Sequence, residues 1–225
     1  MVKKFLMLIA VFALSSQQPA LARDDFQYWS QYSVDLLDTD KFNFKIFSDN
    51  RFFDDAKDVG FYLVSTRLKY KATKYLDLGM NYSYLNSKVN NPIASRSEFK
   101  FHHRVELEVN PYWNLMDWLK LYVRNRYEFR WIEDKGSDNA RIRQRWQLTV
   151  PVKDKWRLKS IYASAEIFYD QPTNAFNENW ITPVGGQFKV SEKVSFDLYY
   201  MIQSKKGTHD WASNQILATV VSFKF

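Results

Sequence analysis

The sequence predicts an all-β fold: a closed antiparallel transmembrane β-barrel of about ten to twelve strands. Three observations lead there. The N-terminus has the layout of an export signal. No later run is long and apolar enough for a membrane helix. The remaining chain alternates apolar and polar residues over stretches longer than soluble strands usually reach.

Lys3 and Lys4 form a short basic region, and residues 5–14 read FLMLIAVFAL without a charge. Pro19 and the A-x-A triplet Ala20-Leu21-Ala22 follow. This is the order of a secretory signal peptide. Ten helical residues rise only about 15 Å, half of a ~30 Å hydrocarbon core, so the segment is too short to span. Residues 1–22 are therefore expected to be removed after Ala22, leaving 23–225 as a single domain in the envelope of a Gram-negative cell. Arg23 follows the cut where a lipid-anchored protein would need cysteine, and the chain has no cysteine at all. An exported chain without disulfides must be held by sheet pairing or a large core.

Aromatic residues make up 18% of the chain and charged residues 25%. A soluble β-sandwich buries the first class and wets the second, whereas a membrane barrel turns apolar groups to lipid and polar groups inward. Composition does not choose between them, and the pattern along each strand must.

The clearest strand covers residues 119–131. Leu119, Leu121, Val123, Tyr127, Phe129 and Trp131 share one face, and Lys120, Tyr122, Arg124, Arg126, Glu128 and Arg130 the other. A period of two is a strand, and this one is longer than the ~9–11 residues that a tilted membrane strand needs. Phe99, Phe101, Val105, Leu107 and Val109 likewise oppose Glu98, Lys100, His102, Arg104, Glu106 and Glu108. Ile142, Trp146, Leu148 and Val150 oppose Arg141, Arg143, Arg145 and Gln147, and Val194, Phe196, Leu198, Tyr200 and Ile202 oppose Ser195, Asp197, Tyr199 and Gln203. Weaker alternation covers 28–36, 42–52, 62–70, 76–84, 161–169, 180–190 and 217–225.

That reading yields eleven strands. Bacterial barrels usually have an even number, so ten and twelve both stay open, with one strand missed or one not spanning. The length leaves about 17–20 residues per strand and connection, and sixteen strands would leave too few for ~10-residue spans. Short connections are expected at 37–41, 71–75, 110–117, 153–155 and 191–193. Longer polar ones are expected at 54–60, 86–97, 133–139, 170–179 and 204–213. This alternation suits a barrel with its C-terminus on the periplasmic side. In the last strand Leu217, Thr219, Val221, Phe223 and Phe225 share the apolar face. The closing Phe223 and Phe225 resemble the signal read by the barrel assembly machinery, an expected partner together with outer-membrane lipid and lipopolysaccharide.

Several short segments carry a family resemblance: Phe26-Gln27-Tyr28-Trp29, Asn50-Arg51-Phe52-Phe53-Asp54-Asp55, His103-Arg104, Arg124-Asn125-Arg126-Tyr127 and Ala165-Glu166-Ile167-Phe168-Tyr169. In these the chain resembles the uncharacterised family of predicted outer-membrane barrels catalogued as domain of unknown function 2490. The resemblance covers nearly all of residues 23–225. It implies a fold and a location and no activity. A more distant similarity in size and basic interior is to small twelve-stranded channels for acidic sugars.

Little in the sequence points to catalysis. His102 and His103 are adjacent on a strand and face opposite sides. His209-Asp210, expected in an outer loop, is the best catalytic pair available, and the rival to a passive barrel is a lipid- or peptide-modifying barrel enzyme. No metal-ligand spacing and no glycine-rich phosphate loop followed by a helix occurs, so no cofactor is expected. The net charge of +7 points inward and does not suggest nucleic acid.

The strong chemical feature is the inner basic stripe of Lys120, Arg124, Arg126, Arg130, Arg141, Arg143 and Arg145. Two readings stay open. In a narrow porin-like channel the stripe concentrates small anionic solutes. In a packed lumen it is neutralised by Glu98, Glu106, Glu108, Glu128 and Glu166. Setting Val109 opposite Leu119 would pair Glu98 with Arg130, Lys100 with Glu128 and Glu108 with Lys120.

Overall fold

A computed structural model describes residues 25–91, 96–137, 139–155, 157–207 and 210–225. The segment read as a signal peptide and His209 lie outside the described residues. The first strands are β1 (Asp25–Asp38), β2 (Phe42–Phe53), β3 (Asp58–Thr73) and β4 (Leu76–Asn91). They are followed by β5 (Arg96–Met116), β6 (Leu119–Ile132), β7 (Arg141–Lys155) and β8 (Leu158–Asp170). The last three are β9 (Ala175–Lys189), β10 (Val194–Lys206) and β11 (Trp211–Lys224). The shortest, β2, has 12 residues, about 40 Å at ~3.3 Å per residue.

Each strand pairs antiparallel with its chain neighbours, and β1 pairs with β11 to close the barrel. The count is therefore eleven, and neither ten nor twelve. Closure at an odd number follows from the seam: β1 and β11 run the same way and pair in parallel, from Asp25↔Asn214 to Asp35↔Lys224. The start of β1 and the end of β11 consequently lie at opposite rims. The lower rim holds the end of β11 and the turns at 39–41, 74–75, 117–118 and 190–193. The upper rim holds the start of β1 and the connections at 54–57, 133–140 and 171–174. At the lower rim Lys224 Nζ donates to Asp38 at 2.6 Å. This hydrogen bond holds the Asp38 carboxyl below its ordinary range and raises the Lys224 ammonium. The contact is thus complete at neutral pH and is lost as acid protonates Asp38 or as base deprotonates Lys224.

Side chains divide as the period of two requires. Val64, Met80, Leu107, Phe129, Ile142 and Leu198 face outward and are exposed. Inside, Gln27, Ser65, Asn81, Glu106, Glu128 and Glu166 are buried. This inverts the soluble pattern, in which large apolar side chains are the ones found inside. Val123 also faces outward but is covered, lying opposite Trp146 in the β6–β7 ladder.

Two sequence expectations need correction. The connection expected at 110–117 is mostly strand: β5 runs 21 residues to Met116, leaving a turn at 117–118. The segment contains Pro111, which the barrel accommodates where the β5–β6 ladder skips from Val109↔Asn125 to Tyr112↔Tyr122. There its missing N–H falls in a gap of that ladder. The long loops expected at 86–97, 170–179 and 204–213 are also largely strand, since β4, β5, β8, β9, β10 and β11 continue into them. Beyond the apolar band these strands carry polar residues on both faces, so alternation fades before the hydrogen bonding does.

One glycine is required by close packing. Gly185 of β9 lies opposite Tyr162 of β8, and a Cβ there would sit 2.2 Å from the tyrosine ring. The ring cannot swing away freely: it is buried, and its hydroxyl donates to Asp197 at 2.9 Å. We expect Gly185→Ala to lower folding stability by ~1–3 kcal/mol, the usual cost of overpacking. Tyr162→Leu should recover most of the loss in the double variant, read from urea unfolding in detergent. A destabilisation unchanged in that double variant would show that backbone conformation, not the ring, demands glycine.

Candidate functional site

The lumen of the barrel is divided by charge. Alternation brings inward Arg104, Glu106 and Glu108 from β5, Arg124, Arg126, Glu128 and Arg130 from β6, and Arg141, Arg143 and Arg145 from β7. The register then places like charges directly opposite one another. Glu106 faces Glu128, and Arg104 faces Arg130. Arg124 faces Arg145, and Arg126 faces Arg143. Like charges opposed across a ladder repel, whereas the diagonal neighbours lie within reach of long side chains. Opposite charges do face each other at Glu108↔Arg126 and Glu128↔Arg141, which form ion pairs directly, and the remaining pairs run diagonally or across more than one strand.

Glu128, fully buried, is the centre of this network. Arg143 and Arg141 reach it at 2.8 and 2.9 Å, with Arg104 and Arg126 at 3.7 and 3.8 Å. Arg143 also binds Glu166 at 2.8 Å, which Arg124 contacts at 2.7 Å. Arg126 joins Glu106 at 3.0 Å and Glu108 at 2.5 Å. Arg141 extends to Glu178 at 3.3 Å, and Arg130 to Asp170 at 2.5 Å.

An aromatic column carries the network to the opposite wall. Arg143 lies 4.4 Å from the Phe168 ring centre and 4.9 Å from Trp180. Phe168 packs on Trp180, which meets Trp29 edge-on at 5.3 Å. The Arg51 guanidinium lies 3.5 Å from the Trp29 ring centre and 4.2 Å from Phe61, and pairs with Asp49 at 2.7 Å. Trp29 and Phe168 are almost wholly inaccessible. A connected chain of ionic and cation–π contacts thus crosses the lumen from β7 and β8 to β2 and β3.

Below this plug is a chamber of about 730 Å³. Plug residues including Glu106, Arg143, Trp29 and Trp180 form one end of it. It extends to the lower rim, where Asn114 and Lys120 line it and are exposed.

The expected basic residues therefore have different fates. Arg124, Arg126, Arg130, Arg141 and Arg143 belong to the ion-pair network. Arg145 lines the chamber and makes no ion pair among the described residues, and Lys120 lies at its mouth. Of the expected acids, Glu106, Glu108, Glu128 and Glu166 are network members. The expected pairs of Glu98 with Arg130, Lys100 with Glu128 and Glu108 with Lys120 do not form. The register is displaced by six residues because β5 continues through the segment read as a turn. Lys100 instead reaches Asp134 at 2.5 Å and Glu98 at 3.8 Å. Arg51, Asp170, Glu178, Trp29 and Trp180 were not among the expected lumen residues, although Trp29 and Arg51 lie in segments that carry the family resemblance. Asp170 and Glu178 fell in an expected loop, and the aromatic members are inward exceptions to an outward-aromatic rule.

The histidines point to opposite faces. Inward His102 Nε2 lies 3.2 Å from Ser87 Oγ, and outward His103 Nδ1 lies 2.7 Å from the Tyr82 hydroxyl. Asp210 lies at the upper connection beside the undescribed His209. Among the described residues no group of three potential ligands is placed to hold a metal ion. Phe223 pairs with Val194 on the outward face, and Phe225 follows β11 and is exposed.

Removing one partner from a buried ionic network strands the others, at a cost of ~3–5 kcal/mol. We expect Glu128→Ala to lose stability on that scale in urea unfolding, while Arg145→Gln stays within about 1 kcal/mol of the parent. Equal losses in the two variants would place Arg145 inside the network.

No curated protein matches this chain. The family model described as "Protein of unknown function (DUF2490)" matches residues 26–214, and the chain belongs to that family.

Proposed function

We propose that the protein is an outer-membrane barrel with a closed lumen: a structural envelope barrel holding a periplasm-facing chamber, and not an open anion channel. The observation that carries this reading is the burial of Glu128 among four arginines, continued by the Trp29–Trp180–Phe168 column across the lumen. An open anion pathway needs hydrated cationic groups free to meet a solute. Most of the arginine stripe is instead committed to carboxylates.

The outer-membrane location is supported by the exposed apolar outer face, the closure that leaves no free sheet edge, strands long enough for tilted spans, and the export-type N-terminus. With the C-terminal rim periplasmic, the chamber faces the periplasm and the upper rim, with the start of β1, faces outward.

The refolded protein should give no steady conductance in planar bilayers. The triple change Arg141→Gln, Arg143→Gln and Arg145→Gln should lower its thermal stability, since two of the three are held by Glu128 and Glu166. Stable anion-selective conductance by the unaltered protein would overturn the closed-lumen reading. In cells, the protein should fractionate with outer membranes and migrate in a heat-modifiable way, and recovery as a soluble periplasmic protein would overturn the location.

A further inference from the structure

The chamber has an excess of positive charge that the plug does not absorb. Of its nine basic lining residues, Arg51, Arg104, Arg124, Arg126 and Arg143 are held by carboxylates and Lys69 pairs with Asp77 at 3.4 Å, which leaves Arg67, Lys120 and Arg145. The four acidic lining residues are engaged elsewhere. Glu106 and Glu166 belong to the plug, and Asp49 holds Arg51. Asp197 accepts from neutral donors, Tyr162 at 2.9 Å and Gln187 at 3.5 Å. Arg67 of β3 and Arg145 of β7 stand four strands apart in the eleven-strand wall and both line this space. Neither makes an ion pair or a hydrogen bond among the described residues, and the Nε of each is buried without a protein acceptor. Arg67 is backed by Phe47, whose ring centre lies 3.5 Å from the guanidinium carbon.

A guanidinium whose Nε is buried without an acceptor keeps an unmet donor, and its planar fork is built for carboxylate or phosphate oxygens. The lining also includes the aromatic and apolar side chains of Phe47, Tyr122, Tyr199 and Met201. The volume lies within the ~300–1,000 Å³ typical of small-molecule sites. Dissociated charge alone would suit inorganic ions, but the aromatic walls add contact area for a ligand body.

We propose that the chamber is a binding site for small organic anions, a carboxylate or phosphate head on an aromatic or acyl body, with Arg67 and Arg145 as the anion-holding residues. Both lie outside the set of paired arginines that closes the lumen, so the site can be occupied without opening the plug. The inference rests on the closed-lumen reading only in treating the chamber as dead-ended. Bilayer conductance tests that reading separately, and binding can succeed or fail whatever its result.

The test is isothermal titration calorimetry of the full-length barrel, refolded in an uncharged detergent, with phenyl phosphate. Saturable binding of one equivalent is expected, with benzyl alcohol and benzylamine giving none. Inorganic phosphate should bind at least tenfold more weakly than phenyl phosphate. The variants Arg67→Gln and Arg145→Gln should each weaken phenyl phosphate at least tenfold and keep the heat-modifiable migration of a folded barrel. No saturable binding, equal binding by the variants, or equal binding of benzylamine would overturn the proposal. A second measurement on the unaltered protein guards against variants that fail to refold. Phenyl phosphate should protect Arg67 and Arg145 from phenylglyoxal, read residue by residue by mass spectrometry, and equal modification with and without it would likewise overturn the site.

Discussion

Glu128 sets the terms for the interior of this barrel. A carboxylate fully removed from solvent is unfavourable unless several donors surround it, and four strands cooperate to supply them. Arg104 comes from β5, Arg126 from its own strand, and Arg141 and Arg143 from β7, while β8 anchors Arg143 from behind through Glu166. Like charges face each other at four positions of the β5–β6 and β6–β7 ladders, so the favourable contacts are the directly opposed Glu128–Arg141 and Glu108–Arg126 pairs together with diagonal ones. A one-residue slip would turn all of these groups onto the apolar outer face. Charge therefore does for register here what apolar packing does in a soluble sheet.

The same arrangement separates a stripe of arginines into two populations. Arg141 and Arg143 lie within a few ångströms of carboxylates and a phenyl ring, and their positive charge is spent locally. Arg145, two residues further along the same face of β7, stands opposite Glu166 in the β7–β8 ladder but makes no ion pair among the described residues, since Glu166 is held by Arg124 and Arg143. Position along one strand thus decides whether a guanidinium builds the wall or remains chemically available. The aromatic column matters to this division. Trp29 and Trp180 continue the barrier where the ion pairs end, and they form the ceiling against which the chamber is defined.

Much of this architecture was legible in the sequence. A period of two over 119–131 identified both faces of β6 correctly, and the eleven strands were all visible as alternating segments. The partners within the network were less legible. The segment 110–117 read as a turn, and that shifted the β5–β6 register by six residues and with it every expected pair. Nothing local in the sequence says that Pro111 will fall at a gap in the ladder, since that depends on where β6 begins. The column of Trp29, Trp180 and Phe168 was hidden for a different reason. Aromatic residues are expected on the outside of such a barrel, and these three point inward to stack on arginines from distant strands.

The parallel seam between β1 and β11 has a consequence for how this fold can be rewired. In an even-stranded barrel the chain ends meet at one rim, so a few residues can join them and new ends can be cut at any other turn. Here the start of β1 and the end of β11 lie at opposite rims. A linker uniting them would have to traverse the length of a 14-residue strand, about 45 Å at ~3.3 Å per residue, either through a filled lumen or along the apolar exterior. Circular permutants of this barrel should therefore be inaccessible by simple joining of the termini. Duplication of hairpins alone also cannot generate it, because one strand is always left over to form the seam.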